Sequence, residues 1–393
     1  MLDSILWWSA VVLVGVLALL MIAPFIRTGQ WFVRMWDFPR LQLAALTVVP
    51  AIPLLVLIAR NAHVLESMIV LGLLVIMALW GLALFLPYSR FWRKDVGDLA
   101  PAGNGSTITF LVANICYESS QYEEMSKTIA EAGADVLLLI EVNDTWRREL
   151  EDLSDKYQHR IEDISGEGLG LALWSKLPLK DSRIDHIIEE RRPSIFADIE
   201  LPDGREINFV GLHPTPPGLR DSTGEERRDS RVRDGELVLL AKHMAEQPRK
   251  NWVVAGDFND VAWSHTTRLF RRLSGLLDPR IGRALLNTYH AGYPLLRYPV
   301  DHLFVAPGFA IGGLERVRLP GSDHFGVLGK LHLEPLAETE SANPEDDAGD
   351  REEAAEAVEE GLEDAQERSV EVPSPGVSPV AYGGLPTGVQ VST

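Results

Sequence analysis

The sequence predicts an α+β domain that follows three membrane-spanning helices and precedes a disordered acidic tail. Three observations support this division. Residues 1–90 contain long apolar stretches without a charged residue. Residues 107–335 show a mixture of strand-like and helix-like patterns, and acidic residues predominate in the chain beyond them. A chain of 393 residues has room for more than one such region.

The membrane domain, residues 1–90, is predicted from three apolar stretches at 5–26, 41–59 and 67–86. Each is close to the roughly 20 residues that a helix needs to cross a bilayer. Buried helices of a soluble protein are the alternative, but three such stretches in so short a segment leave too little polar surface for a soluble domain. We therefore expect an integral, multi-pass membrane protein whose partner is the lipid bilayer.

Two of these stretches have competing interpretations. The first could be a cleaved signal peptide, but Asp3 stands where a basic residue is expected and no small-residue cleavage pattern precedes Arg27. Pro50 and Pro53 would kink the second helix, which a membrane tolerates where neighbouring helices satisfy the freed carbonyl groups. A re-entrant hairpin is the alternative for that stretch.

The distribution of basic residues predicts the orientation. With three spans, one side of the membrane carries Arg27, Arg34, Arg40, Arg90, Arg93 and Lys94. The other side carries Arg60 and the N-terminal amine. Because basic residues concentrate on the cytoplasmic side, the large C-terminal part is expected in the cytoplasm. Two spans instead of three would reverse the relation between the loops.

The tail, residues 336–393, is predicted to be disordered. Residues 334–371 contain 16 acidic and two basic residues, so most of the net charge of −19 lies there. Little apolar surface is available to offset the entropy lost on ordering, although residues 354–366 could form a transient helix. The tail could bind a basic partner, but a solvated spacer is the simpler interpretation.

A linker at 91–106 leads into the central domain, residues 107–335. Apolar or alternating runs predict strands at 107–115, 136–140, 169–174, 182–187, 194–200, 207–212 and 252–255. Helical patterns predict helices at 122–132, 145–153 and 235–245. This mixture, with the hairpin turn Pro202-Asp203-Gly204-Arg205, indicates two packed sheets with helices outside them.

Polar residues that can carry chemistry stand directly after strand-like apolar runs in four places. They are Glu141, Gly256-Asp257-Phe258-Asn259, Asp301-His302 after the run 298–300, and Ser322-Asp323-His324-Phe325. Each motif alone is weak, since an Asp-x-Asn sequence is more often a turn or a helix cap than a catalytic pair. Strand ends can nevertheless bring all four into one cleft. On a strand His302 would face away from Asp301, so we expect it to be structural or peripheral.

Taken together, the residues resemble a known family. The order Asn114, Glu141, His213, Asp257-x-Asn259, Asp301 and Asp323-His324 resembles the endonuclease/exonuclease/phosphatase superfamily, which has the DNase I-like fold. The resemblance covers residues 107–333. It implies a four-layered α/β sandwich and divalent-metal-dependent cleavage of phosphoesters, with substrates that include DNA, RNA, inositol phosphates and sphingomyelin.

The resemblance also implies a metal site. Glu141 is the expected ligand of Mg²⁺ or Mn²⁺, because carboxylates suit these ions, and Asp323 would complete the carboxylate set. Asn114 would hold the metal or a phosphate oxygen of the substrate. Many nucleases of this family carry an acid where this chain has Cys116, so metal coordination would depend more on Glu141. As the single cysteine, Cys116 also excludes an internal disulfide and a multi-cysteine zinc site.

The remaining residues would be catalytic by the same resemblance. Asp257 would position or deprotonate the attacking water, and Asn259 would hold the phosphate. His213 and His324 would bind the substrate by donating hydrogen bonds to non-bridging oxygens as negative charge builds up. Asp301 would orient the His324 imidazole and keep it protonated.

A proline-containing loop at 213–218 adds a second basic feature. Five arginines follow the loop: Arg220, Arg227, Arg228, Arg231 and Arg233. They could grip a phosphate-bearing substrate. Acidic residues alternate with them, so a salt-bridged helix face is an equally good interpretation.

The leading hypothesis is a membrane-anchored, Mg²⁺-dependent phosphodiesterase that cleaves nucleic acid or a phospholipid headgroup by metal-assisted in-line attack of water. The absence of a broad basic stripe weakens duplex DNA as the substrate. The alternative from a different class is a catalytically silent membrane scaffold that binds a partner through the fold and the acidic tail. The sequence shows no oligomerisation seam and leaves the oligomeric state open.

Overall fold

The chain forms two compact units in this computed structural model, which describes residues 1–26, 28–99, 106–164, 168–218, 229–334 and 348–367. One unit consists of residues 1–93 and 282–285, and the other of residues 94–281 and 286–393. The division separates the apolar helices from the sheet-containing domain.

The first unit is helical. Its helices are α1 (Leu2–Ile22), α2 (Trp31–Arg34), α3 (Arg40–Leu46), α4 (Val48–Ala59) and α5 (Val64–Ala83). Three segments, Leu2–Phe25, Arg40–Ala59 and Val64–Ala83, are long and apolar enough to span a membrane. They overlap the three stretches that the sequence singles out, and the second is interrupted only at Thr47.

Small and aliphatic side chains hold these helices together. Ala10, Leu54 and Leu74 are buried in a shared cluster. A Cβ atom on Gly81 would lie 2.7 Å from the Cβ atom of Ala44, so glycine permits the close approach of α3 and α5. Many large apolar side chains on the outer faces of the helices remain exposed. Helices that are apolar on every face suit a lipid surrounding.

Two β-sheets form the centre of the second unit. Their strands are β1 (Gly97–Asp98), β2 (Ser106–Asn114), β3 (Val136–Ile140), β4 (His159–Asp163), β5 (Leu171–Ser175), β6 (Leu179–Asp185), β7 (Ser194–Glu200), β8 (Glu206–Leu212), β9 (Trp252–Asp257), β10 (Asp301–Val305), β11 (Phe309–Arg318) and β12 (Phe325–Leu333). Among the described strands, seven form one sheet in the order β1-β11-β12-β2-β3-β5-β4, and five form the other in the order β10-β9-β8-β7-β6. Phe110 of the first sheet stacks on Phe209 of the second with ring centroids 5.6 Å apart, so the sheets pack face to face.

Helices cover both outer faces of the sheet pair. They are α6 (Tyr122–Ala132), α7 (Asp144–Glu149), α8 (Arg231–Ala245) and α9 (His265–Ser274). Met125 and Trp146 bury α6 and α7 against the seven-stranded sheet. Leu237 and Phe270 bury α8 and α9 against the five-stranded sheet. The layers are helix, sheet, sheet and helix, so the four-layered α+β sandwich of the DNase I-like fold is confirmed.

The acidic tail contains a helix, α10 (Ala348–Glu367). This helix differs from the disorder expected across 336–393, and it extends the transient helix expected at 354–366. Residues 336–347 and 368–393 of the predicted tail lie outside the described residues.

Helix α10 packs on α8. Ala354, Val358 and Leu362 are buried on one of its faces. At its C-terminal end the Asp364 carboxylate lies 2.9 Å from the guanidinium group of Arg231. The tail orders here because its few apolar residues recur at helical spacing, a property that overall composition does not reveal.

Candidate active site

The predicted site residues lie at one end of the sandwich, where strands of both sheets begin or end. Strands β2 and β3 run parallel, as do β8 and β9, so the carboxyl ends within each pair share one edge. Strands β10 and β12 run antiparallel to β9 and β2, so their amino ends reach those same edges. The residues at these ends are Asn114, Glu141, His213, Asp257, Asp301 and His324.

Asn114 bridges two carboxylates. Its Nδ2 donates to Oε1 of Glu141 at 2.9 Å and to Oδ2 of Asp257 at 3.3 Å. Its Oδ1 accepts from the backbone N–H of Cys116 at 3.1 Å, so the amide oxygen is turned toward the backbone. This arrangement favours Asn114 as the residue that positions the two carboxylates.

Glu141 directly follows β3 with a φ of +66°. Its Oε2 accepts from the backbone N–H of Tyr117 at 3.2 Å. Burial raises the pKa of the Glu141 carboxyl, although the hydrogen bonds from Asn114 and Tyr117 act in the opposite direction. A buried carboxylate of this kind gains most from a nearby positive charge.

Asp257 is the centre of the cluster and is 1% exposed. Its Oδ2 lies 3.9 Å from Nε2 of His213 and 3.7 Å from Nε2 of His324. Its Oδ1 accepts from the backbone N–H of Asn259 at 2.9 Å. Burial and the negative charge of Asp301 raise the pKa of Asp257 to about 7, against the opposing charge of His324.

The residue before Asp257 must be glycine. Gly256 has a φ of +156°, and a Cβ atom there would lie 1.9 Å from the carbonyl oxygen of Leu212 on β8. A side chain at position 256 would clash with the backbone of β8, which explains why glycine precedes Asp257. The close approach of β8 to β9 brings His213, which follows Leu212, beside Asp257.

His324 and Asp301 form a buried pair. Nδ1 of His324 lies 2.8 Å from Oδ2 of Asp301. Burial would lower the pKa of His324, but the negative charges of Asp301 and Asp257 outweigh it and raise the pKa to about 10. The imidazole is therefore charged at neutral pH, with Nδ1–H donating to Asp301 and Nε2–H directed toward Asp257.

The position of Asp301 on its strand differs from the prediction. Asp301 was expected after a strand-like run at 298–300, whereas it is the first residue of β10. Because β10 runs antiparallel to β9, its start reaches the edge at which β9 ends. The following residue, His302, faces the other side and is fully buried, as predicted for a structural residue.

Asn259 is fixed by contacts from two other segments of the chain. It has a φ of +52°, and its Nδ2 donates to the carbonyl oxygen of Pro214 at 3.0 Å. Its own carbonyl oxygen accepts from Nη1 of Arg233 at 2.7 Å. Arg233 is 1% exposed, and sequence reasoning missed this role. Its only sequence signal was its place among the arginines that follow the loop at 213–218.

The described arginines of that group favour the salt-bridge interpretation. Arg233 lies 2.8 Å from Asp234 and 3.3 Å from Asp260. Arg231 lies 3.0 Å from Asp229. The arginines at 220, 227 and 228 lie outside the described residues.

Asp323 lies beside the cluster and acts on Glu141 through its charge. Its backbone carbonyl accepts from the N–H of Ala291. Its negative charge is one of the smaller causes that raise the pKa of Glu141 and of Cys116. Cys116 is half-buried, and burial is the main cause of its raised pKa. The neighbouring Ser322 donates to the carbonyl oxygen of Asn114 at 2.7 Å and so ties β12 to β2.

The donor set fits a divalent cation that prefers oxygen ligands. Asp257, Asp301 and His324 place possible ligand atoms within 4.8 Å of one another. Nδ1 of His324 is already paired with Asp301, however, and a protonated imidazole has no lone pair for a metal. Glu141 and Asp257 instead present buried carboxylates on either side of one amide. A cation beside them would reverse the rise in their pKa values.

Comparisons with known proteins found similar solved structures. The chain is similar to a crystal structure of an endonuclease/exonuclease/phosphatase from Beutenbergia cavernae, with 19% identity, 59% of this chain and 73% of that chain covered, and a TM-score of 0.46. It is similar to a family protein from Bacteroides thetaiotaomicron, with 16% identity, coverage of 59% and 100%, and a TM-score of 0.46. It is also similar to sphingomyelinase C from Streptomyces griseocarneus, with 14% identity, coverage of 57% and 99%, and a TM-score of 0.41. The comparison with curated proteins found no match.

A sequence profile of the Endonuclease/Exonuclease/phosphatase family matches residues 111–324, which is more than half of the chain. The matched range begins in β2 and ends at His324, so it contains every residue of the cluster described above. The chain therefore belongs to the endonuclease/exonuclease/phosphatase family of phosphoesterases.

Proposed function

We propose that this protein is a membrane-anchored phosphodiesterase that depends on a divalent cation, Mg²⁺ or Mn²⁺. The observation that carries the proposal is the position of Asp257. Its carboxylate lies beside two imidazoles, His213 at 3.9 Å and His324 at 3.7 Å, and beside the amide that also binds Glu141. Groups that can take a proton, donate hydrogen bonds and hold a cation thus converge on one point.

A phosphodiester resists hydrolysis because its negative charge repels a nucleophile, so a site must neutralise charge and orient water. A cation held by Glu141, with Asp323 nearby, would supply positive charge to the phosphate oxygens. Asp257 would orient the attacking water and accept its proton, since its carboxylate lies at the centre of the cluster beside both imidazoles. Asn259 would hold the phosphate from the same strand end.

His324 and His213 would stabilise the charge that builds up on the phosphate oxygens. Pairing with Asp301 keeps His324 protonated, so the Nε2–H of His324 can donate to a non-bridging oxygen of the phosphate. His213 is 7% exposed and faces the same carboxylate from the end of the neighbouring strand β8. The reaction uses in-line attack of water and forms no covalent bond between the protein and the substrate.

The substrate proposed is a nucleic acid or a phospholipid headgroup. Attachment to the bilayer would raise the local concentration of a lipid substrate. The cytoplasmic position of the catalytic domain stays a prediction from the basic residues. A silent scaffold is the weaker candidate, because a binding role gives no reason to bury Asp257, Asp301 and His324 together.

The test uses the full chain in lipid nanodiscs with Mg²⁺, Mn²⁺ or EDTA. The substrates are bis(p-nitrophenyl) phosphate, plasmid DNA and phospholipids, and the variants are Asp257→Ala and His324→Ala. We expect metal-dependent turnover that falls by about 10²-fold to 10⁴-fold in either variant.

The matched control is Asp155→Ala, which removes an exposed carboxylate from the short helical segment Glu151–Lys156. It should turn over substrate at the wild-type rate. A folded wild-type protein that cleaves none of the substrates, with either metal, would favour the scaffold.

A further inference from the structure

Three arginines surround one aromatic ring next to the active-site motif. The ring belongs to Phe325, the residue after His324. The guanidinium carbons of Arg297, Arg316 and Arg318 lie 4.8, 4.8 and 5.3 Å from its centroid. Each distance is within the range of a cation–π contact. Three positive charges are therefore gathered on one side chain.

Backbone carbonyl groups hold the three guanidinium groups in place. Arg316 donates to the carbonyl oxygen of Asn287 at 2.5 Å, and Arg297 donates to that of Ala291 at 2.8 Å. Arg318 donates to the carbonyl oxygen of Ser322 at 2.9 Å. Neutral acceptors fix the positions of these groups and leave their charges in place.

The same contacts connect the cluster to the proposed active site. The N–H of Ala291 donates to the carbonyl oxygen of Asp323 at 2.6 Å, and the hydroxyl group of Ser322 donates to the carbonyl oxygen of Asn114 at 2.7 Å. The ring of Tyr289, in the same loop as Ala291, lies 4.9 Å from the ring of His324. These contacts join the segments that carry the three arginines to the strand ends of the proposed active site.

The charge of the cluster is not neutralised within the described part of the chain. None of the three arginines has a carboxylate within ion-pair distance among the described residues, whereas Arg205, Arg231 and Arg280 of the same unit are each paired with an aspartate. Burial and the neighbouring charge of Arg297 both lower the pKa of Arg316, as expected for like charges held together. Three like charges held around one ring without a carboxylate partner offer an attractive position for an anion.

We propose that Arg297, Arg316 and Arg318 bind a phosphate group of the substrate that is separate from the phosphate to be cleaved. The guanidinium fork matches phosphate oxygens, and three such groups can offer several N–H donors to one tetrahedral anion. The site therefore selects substrates with at least two phosphate groups, such as a stretch of nucleic acid or a phosphorylated headgroup. This inference rests on the proposed phosphodiesterase function.

The test measures binding without turnover. The full chain in uncharged detergent with EDTA is titrated calorimetrically with thymidine bisphosphate and monophosphate, and with inositol bisphosphate and monophosphate. We expect the wild type to bind one of the bisphosphates about tenfold or more tightly than its monophosphate. In Arg316→Gln this preference should fall to about one, and in Arg316→Lys to an intermediate value, since lysine keeps the charge without the fork.

Arg249→Gln is the matched control, since Arg249 is an exposed arginine of the same unit without a contact to the cluster. It should keep the wild-type preference. Comparing the thymidine phosphate titrations with the inositol phosphate titrations identifies which kind of molecule supplies the second phosphate. Equal binding of mono- and bisphosphates by the wild type in both arms, or an unchanged preference in folded Arg316→Gln, would overturn the proposal. Because no turnover is needed, the measurement separates a missing phosphate site from a missing catalytic activity.

Discussion

Two Asp-His pairs of this sequence, Asp301-His302 and Asp323-His324, look alike in the chain and differ entirely in the fold. The aspartate of the first pair contacts the histidine of the second, with Oδ2 of Asp301 2.8 Å from Nδ1 of His324. His302 faces the opposite side of β10. Both histidines are buried, so burial alone cannot explain the difference in their charge.

The neighbours of each histidine decide its charge. His324 lies between two carboxylates, and its pKa rises to about 10 although burial acts to lower it. His302 receives a hydrogen bond from Nη2 of Arg280 at its Nδ1, at 2.7 Å, and its Nε2 donates to the carbonyl oxygen of Asp260 at 2.9 Å. Burial and the positive charge of Arg280 hold its pKa well below 6.5. One imidazole is thus a charged donor, and the other is a neutral part of the core.

The difference between the two histidines depends most on Asp301, because this carboxylate keeps His324 charged and oriented. In Asp301→Asn the side chain keeps its size and loses its charge. We expect the turnover number on bis(p-nitrophenyl) phosphate to fall by about 10²-fold or more, with a smaller change in KM. Steady-state kinetics of the full chain in nanodiscs measures both constants. Wild-type turnover in this variant would show that the charge of His324 does not depend on Asp301.

The neutral histidine should affect stability instead of turnover. In His302→Gln an amide replaces the imidazole between Arg280 and Asp260, and the imperfect fit should lower the free energy of unfolding by about 2 kcal/mol. The melting temperature of the full chain measures the change. Turnover per folded molecule should stay at the wild-type value, and a loss like that of Asp301→Asn would place His302 in the catalytic site.

The same variant should change the response to acid. The folded state keeps His302 neutral, whereas the unfolded state takes up a proton below a pH of about 6.5. Wild-type stability from this group is therefore present above that pH and is lost as the pH falls. The glutamine variant has no imidazole at position 302 to take up a proton on unfolding. Its melting temperature should therefore depend less on pH between about 5 and 7.

Much of the fold could be predicted from local pattern. Helix α6 and strands β3 and β7 begin and end where the sequence predicts, because continuous apolar or amphipathic runs are bounded by residues such as Gly133, whose φ is +63°. Strand β4 was not predicted. All of its residues are half-exposed, so it has no fully buried face to mark it, and it lies at the edge of the sheet, where it pairs with β5.

The site residues, and the pairing of Asp301 with His324, could be placed by family order, but the other partners could not. Arg233, for example, reaches the carbonyl oxygen of Asn259 across 26 residues. Three arginines from two segments meet at Phe325. Such contacts depend on how the sheets and loops pack, and local periodicity carries no information about them. Helix α10 was expected only as a transient helix at 354–366, because the acidic composition hid its apolar face.

Glu236, like Asp257, is a buried acid with a second acid beside it. It is 4% exposed, and its Oε1 accepts from the backbone N–H groups of Ile188 and Glu189 at 3.4 and 3.2 Å. Burial and the negative charge of Glu189 raise its pKa to about 7. The unfolded state loses this proton near a pH of about 4.5, so wild-type stability falls as the pH rises from there to about 7.

Glu236→Gln should therefore stabilise the protein at alkaline pH. At a pH of about 8 we expect a gain of about 1 kcal/mol, smaller than the pKa shift alone implies, because the neutral amide is a weaker acceptor for the two N–H groups. Below a pH of about 4.5 both proteins carry a neutral side chain, so the gain should vanish. Melting temperatures at the two pH values measure the effect. A loss of stability at alkaline pH would mean that the ionised carboxylate is stabilised by its neighbours, as the carboxylates around His324 are.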